Sequence, residues 1–233
     1  MRIVLGIVGV VLFGAVAVTA SNSTPSRLAA PTVAPRYTPV PGRENPPPEV
    51  VDRLARSDGW LAGMFSSPIE GVEIPDDPNL LPGAPRDYRA GTHEGIDFPA
   101  PLGTPVLAAA NGTVIRVDAS FLDWTREQQD QALYEALELG YTPPATLDRI
   151  RGRQVWIDHG RGVVTRYAHL SAVAAAIAVG MKIEAGVPIG EVGSSGYPQG
   201  GPHLHFEVRT GDGFYGDGLT GGALVRAVSR LFR

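Results

Sequence analysis

Two histidines stand two residues apart in the stretch Gly201–Val208, GPHLHFEV, and the whole chain carries only five: His93, His159, His169, His203 and His205. Imidazole is the commonest protein metal ligand and titrates near neutrality, so such a pair points to metal binding or proton transfer. The segment is rich in strand formers, and on a strand successive side chains alternate between faces. His203, His205, Glu207 and Arg209 then share one face, and Leu204, Phe206 and Val208 share the other. The apolar set reads as a core face and the histidine set as the face turned outward.

A second stretch, THEGIDFPA (Thr92–Ala100), places His93 and Asp97 four apart. A helical His-Glu-x-x-His zinc motif with Glu94 as base does not fit, because Asp97 replaces the second histidine and Gly95 and Pro99 disfavour a helix. On an irregular segment or strand edge, a histidine and a carboxylate can still converge on one ion. Two imidazoles and one carboxylate leave a fourth position for water, the arrangement of catalytic zinc sites. A third stretch, RYAHL (Arg166–Leu170), puts His169 at a strand end, whereas His159 in IDHG reads as a surface turn residue. None of these motifs is specific alone.

The elements that must position these residues are short strands. With 29 glycines and 21 prolines the chain is turn-rich, which favours β structure. The pattern predicts strands over Pro105–Ala109, Thr113–Asp118, Gln154–Asp158, Val163–His169, Pro188–Val192 and His203–Arg209. Asn111-Gly112 predicts a hairpin between the first two, and Gly160-Arg161-Gly162 links the next pair. Trp124–Leu139 predicts a helix, with Thr125 and Gln128 as a capping box and Gly140 at its end. Pro143-Pro144 then admits a second helical turn through Ile150, so residues 119–153 form a helical insertion between would-be neighbouring strands. The glycines of GEVGSSG (Gly190–Gly196) read as turn residues, since a phosphate loop needs a lysine and a following helix.

Outside this region, Arg2 precedes the uncharged run Ile3–Ala20, and Val18-Thr19-Ala20 suits a signal peptidase. Residues 1–20 are therefore expected to be a signal peptide, or an N-terminal membrane anchor through residues 3–20. Residues 21–48 read as a Pro-rich linker and 49–66 as a short amphipathic helix. Residues 214–233 form a Gly-rich stretch and then an amphipathic, basic tail, expected to pack on the domain. The absence of cysteine excludes disulfides, thiolate ligands and cysteine nucleophiles. A net charge of −4 and a pI near 5.7 give no basic footprint, so nucleic acid is not an expected partner.

In order, HEGID, YAHL and GPHLHFEV resemble the lysostaphin-type (LytM-like) zinc endopeptidases of bacterial cell walls. GTPVLAAANGTVIRV after the first motif and VGMKIEAGVPIGEVGSSG before the last extend the resemblance over about Leu81–Arg209, apart from the insertion. The resemblance implies a mainly β catalytic domain over residues 67–213, an antiparallel sheet or sandwich of the lysostaphin-like hybrid type. It implies one Zn2+ per chain held by His93, Asp97 and His205, with His169 and His203 off the metal as catalytic residues. Glu207 would support them. The implied activity is cleavage of peptide stems or cross-bridges of peptidoglycan by a metal-activated water, in an exported enzyme of the cell envelope. The alternative is a metal-retaining, non-hydrolytic cell-wall binding or hydrolase-activator module. An exported serine hydrolase is disfavoured: no G-x-S-x-G elbow accompanies Ser194 and Ser195. The insertion could wall the substrate groove, occlude it or decorate its rim.

Overall fold

Short apolar runs cut by glycine and proline cannot sustain long helices, and in the computed structural model they form strands joined by tight turns. The structure describes residues 59–211 and 213–233; the segment 1–20, the linker 21–48 and most of the helix expected over 49–66 lie outside the described residues. Five strands precede the insertion: β1 (Pro85–Arg86), β2 (Gly91–Thr92), β3 (Ile96–Pro99), β4 (Pro105–Leu107) and β5 (Gly112–Val117). The insertion holds α1 (Arg126–Leu139) and α2 (Pro144–Arg151). Then come β6 (Val155–Asp158), β7 (Val163–Ala168), β8 (Ala172–Val173), β9 (Lys182–Ile183) and β10 (Pro188–Glu191). β11 (His203–Thr210), β12 (Gly213–Phe214) and α3 (Gly221–Leu231) follow.

Pairing between these strands is antiparallel. The main sheet runs β12-β11-β7-β6-β5-β9, with β3 added beside β11, and a smaller sheet runs β4-β10-β8. β6 and β7 form the hairpin expected at Gly160-Arg161-Gly162, whose two glycines take positive φ. β5 and β6 pair across the insertion, so the two helices do not separate the strands they interrupt. The capping box of α1 forms in both directions between Thr125 and Gln128, and Gly140 ends the helix in the left-handed region.

The hairpin expected at Asn111-Gly112 does not form. β4 pairs with β10, while β5 pairs with β6 and β9. Ala108, Ala109 and Ala110 between them are buried, so the chain crosses from one sheet to the other through the core. Burial of that apolar run outweighs the local turn preference. The side-chain oxygen of Asn111 instead accepts the Ala185 N–H at 2.8 Å.

The apolar face of β11 builds the core as its alternation predicts. Leu204, Phe206 and Val208 are buried, and the Phe206 ring meets Tyr167, Phe98, Phe65 and Phe232 with centroids 5.2–6.2 Å apart. The C-terminal amphipathic segment packs here too: α3 buries Ala223, Leu224, Val228 and Leu231. Among the described residues no helix is long and apolar enough to cross a membrane.

The other face of β11 is not turned outward, which corrects the expectation from alternation. His205 is 6% exposed and Glu207 fully buried, covered by the last turn of α2. Gly152, which ends α2, has φ +67°, and a Cβ there would collide with the carbonyl of Ser195. Gly152→Ala is therefore expected to destabilise the fold by about 2 kcal/mol or more, measured by denaturant unfolding.

Candidate metal centre

β3 lies against the first half of β11 with Asp97 directly opposite His205. Cross-strand partners project to the same face, so the register alone brings that carboxylate and that imidazole together. His93, on the segment leading into β3, completes a triangle. His93 Nε2, Asp97 Oδ1 and His205 Nδ1 lie 2.9, 3.0 and 2.9 Å apart around its sides. An ion with tetrahedral ligands at ~2.0–2.1 Å would hold them roughly 3.3 Å apart, so the triangle fits one after opening slightly.

The remaining partners of each group orient these atoms. His93 Nδ1–H donates to the Leu81 carbonyl at 2.9 Å, which leaves Nε2 as a lone pair. His205 Nε2–H donates to Glu207 Oε1 at 3.2 Å, which leaves Nδ1 to offer a lone pair once its own proton is lost. Arg86 Nη2 takes the other carboxylate oxygen of Asp97 at 3.1 Å. Three electron-pair donors thus converge, each tied from behind, as metal ligands are.

Without an ion, the carboxylates are held ionised by the imidazoles and arginines around them. Burial opposes ionisation of Asp97, but His93 and His205 outweigh it and hold the carboxyl well below the usual range. Burial likewise opposes ionisation of Glu207, which His205 and Arg151 still hold well below normal. For His205, burial pulls its pKa down, yet Asp97 and Glu207 push it up to about 9. His93, where burial prevails over Asp97, is lowered. A metal at the triangle would displace the proton that His205 otherwise keeps.

His169 and His203 stand beside this triangle. Their rings are 4.7 Å apart, and the His169 ring is 5.7 Å from that of His205. His169 follows the last residue of β7 with φ +61°, an uncommon conformation for a side-chain-bearing residue that turns the ring away from the strand's own course. Its Nδ1–H donates to Ser195 O at 2.9 Å, and His203 Nδ1–H donates to Gly201 O at 2.9 Å, so each keeps Nε2 as an acceptor. His203 Nε2 lies 3.7 Å from Asp97 Oδ1. Burial, reinforced by His203 and His205, holds the pKa of His169 well below the ordinary imidazole value. All five of these residues line one cleft of about 290 Å3.

The neighbouring acidic group fits a metal less well. Glu94, His205 and Glu207 also come close together, but Arg89 binds Glu94 at 2.8 Å and Arg151 binds Glu207. Arginine already neutralises both carboxylates. Ser195 is no nucleophile candidate: its hydroxyl donates to Leu170 O and accepts the Arg153 N–H, and its carbonyl, not its hydroxyl, meets His169. His159 is a bridge elsewhere, from Asn111 O to Thr165 with its ring edge-on to Phe65, and is more enclosed than a surface turn residue.

Sequence reasoning missed Arg86, Arg151 and the stacked pair Tyr88–Tyr197, rings 4.7 Å apart on the cleft. They reach the site from the short strand β1, from separate turns and from the insertion, so no local spacing marks them.

The model of Peptidase family M23 matches residues 91–216. The chain is 37% identical over 117 residues to the DD-carboxypeptidase/endopeptidase Mpg of Neisseria meningitidis, a match covering 50% of this chain and 20% of that protein. It is 33% identical over 124 residues to the peptidoglycan DD-endopeptidase ShyA of Vibrio cholerae, covering 53% of this chain and 22% of ShyA. Each alignment spans about a fifth of the relative's length. Among solved structures, a mutant catalytic domain of the prophage-encoded M23 protein EnpA of Enterococcus faecalis is similar at 29% identity, covering 67% of this chain and 93% of that one, with TM-score 0.42. The matched span includes the whole triangle, both flanking histidines and the strands that carry them, and the chain belongs to peptidase family M23.

Proposed function

We propose that this chain is a zinc-dependent endopeptidase that cleaves peptide stems or cross-bridges of bacterial peptidoglycan. The observation that carries the proposal is the convergence of His93 Nε2, Asp97 Oδ1 and His205 Nδ1, with His169 and His203 beside them on one cleft. The relatives named as peptidoglycan DD-endopeptidases support the substrate class. Two imidazoles and one carboxylate form the ligand set of a catalytic zinc rather than of a closed structural one.

Zinc held by His93, Asp97 and His205 would supply Lewis acidity towards the peptide carbonyl and the attacking water. The protein supplies the rest. His169, whose Nε2 is left as an acceptor, takes the water's proton there, and its bond to Ser195 O prevents the ring from turning away. His203, the more exposed of the two, serves the developing oxyanion once its Nε2 is protonated, since its Nδ1–H is already given to Gly201 O. Arg86 holds the outer oxygen of Asp97, so that Oδ1 alone faces the triangle.

Peptidoglycan lies outside the cytoplasmic membrane, so this activity requires export. We assign that to residues 1–20 as signal peptide or anchor, with 21–48 as spacer and 67–213 as the catalytic domain. The direct test is release of soluble peptides from purified sacculi. Activity should vanish with a chelator and return on adding zinc. A protein that binds one zinc and releases no peptide would contradict the enzyme assignment and leave a binding or activator module.

A further inference from the structure

The insertion is more than rim decoration. Its second helix ends at Arg151, which is 6% exposed although it is a charged side chain. Arg151 Nε donates to Glu207 Oε1, the same oxygen that accepts His205 Nε2–H at 3.2 Å. Arg166 and Arg209 reach the other oxygen, Oε2, at 3.3 and 3.4 Å. Arg151 is therefore the arginine that sets the oxygen facing the metal-ligating histidine. The same turn of chain serves the other side of the site: the Arg151 carbonyl accepts the His169 N–H at 2.8 Å. Asp148, one turn earlier on α2, clamps the helix to the sheet through paired contacts to Arg116 at 2.8 and 2.7 Å.

We propose that Arg151, and through it the helical insertion, is a positioning residue of the metal centre: it holds Glu207 where that carboxylate orients the His205 ring. A buried carboxylate with a free choice of partners would turn towards whichever arginine approached it. Arg151, on the Oε1 side, removes that choice. Groups that orient metal-ligating histidines in this way change metal affinity by ~10–100-fold when lost. The insertion then belongs to the site as support, while Leu147 and Ile150 from the same helix line the cleft.

The inference rests on the zinc site proposed above, and zinc affinity of the full chain, read by competition with a chromophoric chelator, separates the two. Arg151→Met should raise the zinc Kd by about tenfold, the lower end of what losing a direct partner of a ligand costs. Arg151→Lys, which keeps the charge but not the planar Nε–H, should fall between that variant and the unaltered protein, and it serves if the methionine variant fails to fold. Asp148→Asn is the comparison: by loosening the helix clamp it should lower the melting temperature and weaken zinc binding less than Arg151→Met does. Unaltered affinity in the folded Arg151→Met or Arg151→Lys protein would overturn the proposal. So would an Asp148→Asn protein that loses zinc as readily as Arg151→Met. An unaltered chain that binds no zinc would contradict the zinc site itself, and this inference with it.

Discussion

His205→Ala is expected to lose bound metal and peptidase activity together, and His93→Ala and Asp97→Ala should do the same. Each contributes one of three donor atoms that stand within 3.0 Å of one another. Removing one leaves a two-ligand site, so the loss of affinity should exceed the ~10–100-fold typical of losing an outer hydrogen-bond partner. His205 is the severest case. Its loss also strips Glu207 and Asp97, both buried carboxylates, of a shared partner. Breaking a buried charged cluster by removing one member costs about 3–5 kcal/mol, so the melting temperature should fall as well. Zinc content by mass spectrometry and peptide release from sacculi are the paired readouts. A His205→Ala protein that retains one tightly held zinc would contradict the ligand assignment.

His169→Ala and His203→Ala should behave differently. Both are expected to keep zinc and lose activity by ~10²–10⁴-fold, the usual contribution of a positioned proton-transfer group. Neither ring donates an atom to the triangle: His169 is tied by Nδ1 to Ser195 O, and His203 Nε2 stands 3.7 Å from Asp97 Oδ1. The zinc-retaining phenotype separates these two from the ligands, which activity alone cannot do. Should His203→Ala release the metal, the division of labour between the histidines of β11 would be wrong.

Much of this site is legible in the sequence because it depends on local regularities. The period of two in GPHLHFEV places Leu204, Phe206 and Val208 in the core and His203, His205 and Glu207 on the opposite face. Thr125, Gln128 and Gly140 mark both ends of α1, because capping is a matter of a few adjacent residues. The failures come from contacts between distant residues. Alternation cannot say that the polar face of β11 is itself roofed, since the roof is Arg151 of α2, 56 positions away in sequence from Glu207. Asn111-Gly112 has the residues of a hairpin turn, yet β4 is drawn to β10 and the alanines between β4 and β5 enter the core. The register of Asp97 against His205 likewise belongs to strand pairing across more than a hundred residues; the resemblance to zinc peptidases supplied the pair, and spacing alone did not.

Three particular atoms are expected to hold one metal ion. Anomalous diffraction at the zinc edge, from crystals of the protein grown with zinc, tests it most directly. A single strong peak is expected about 2.0–2.2 Å from His93 Nε2, Asp97 Oδ1 and His205 Nδ1. A peak at the neighbouring group of Glu94, His205 and Glu207, or no peak in the cleft, would contradict it.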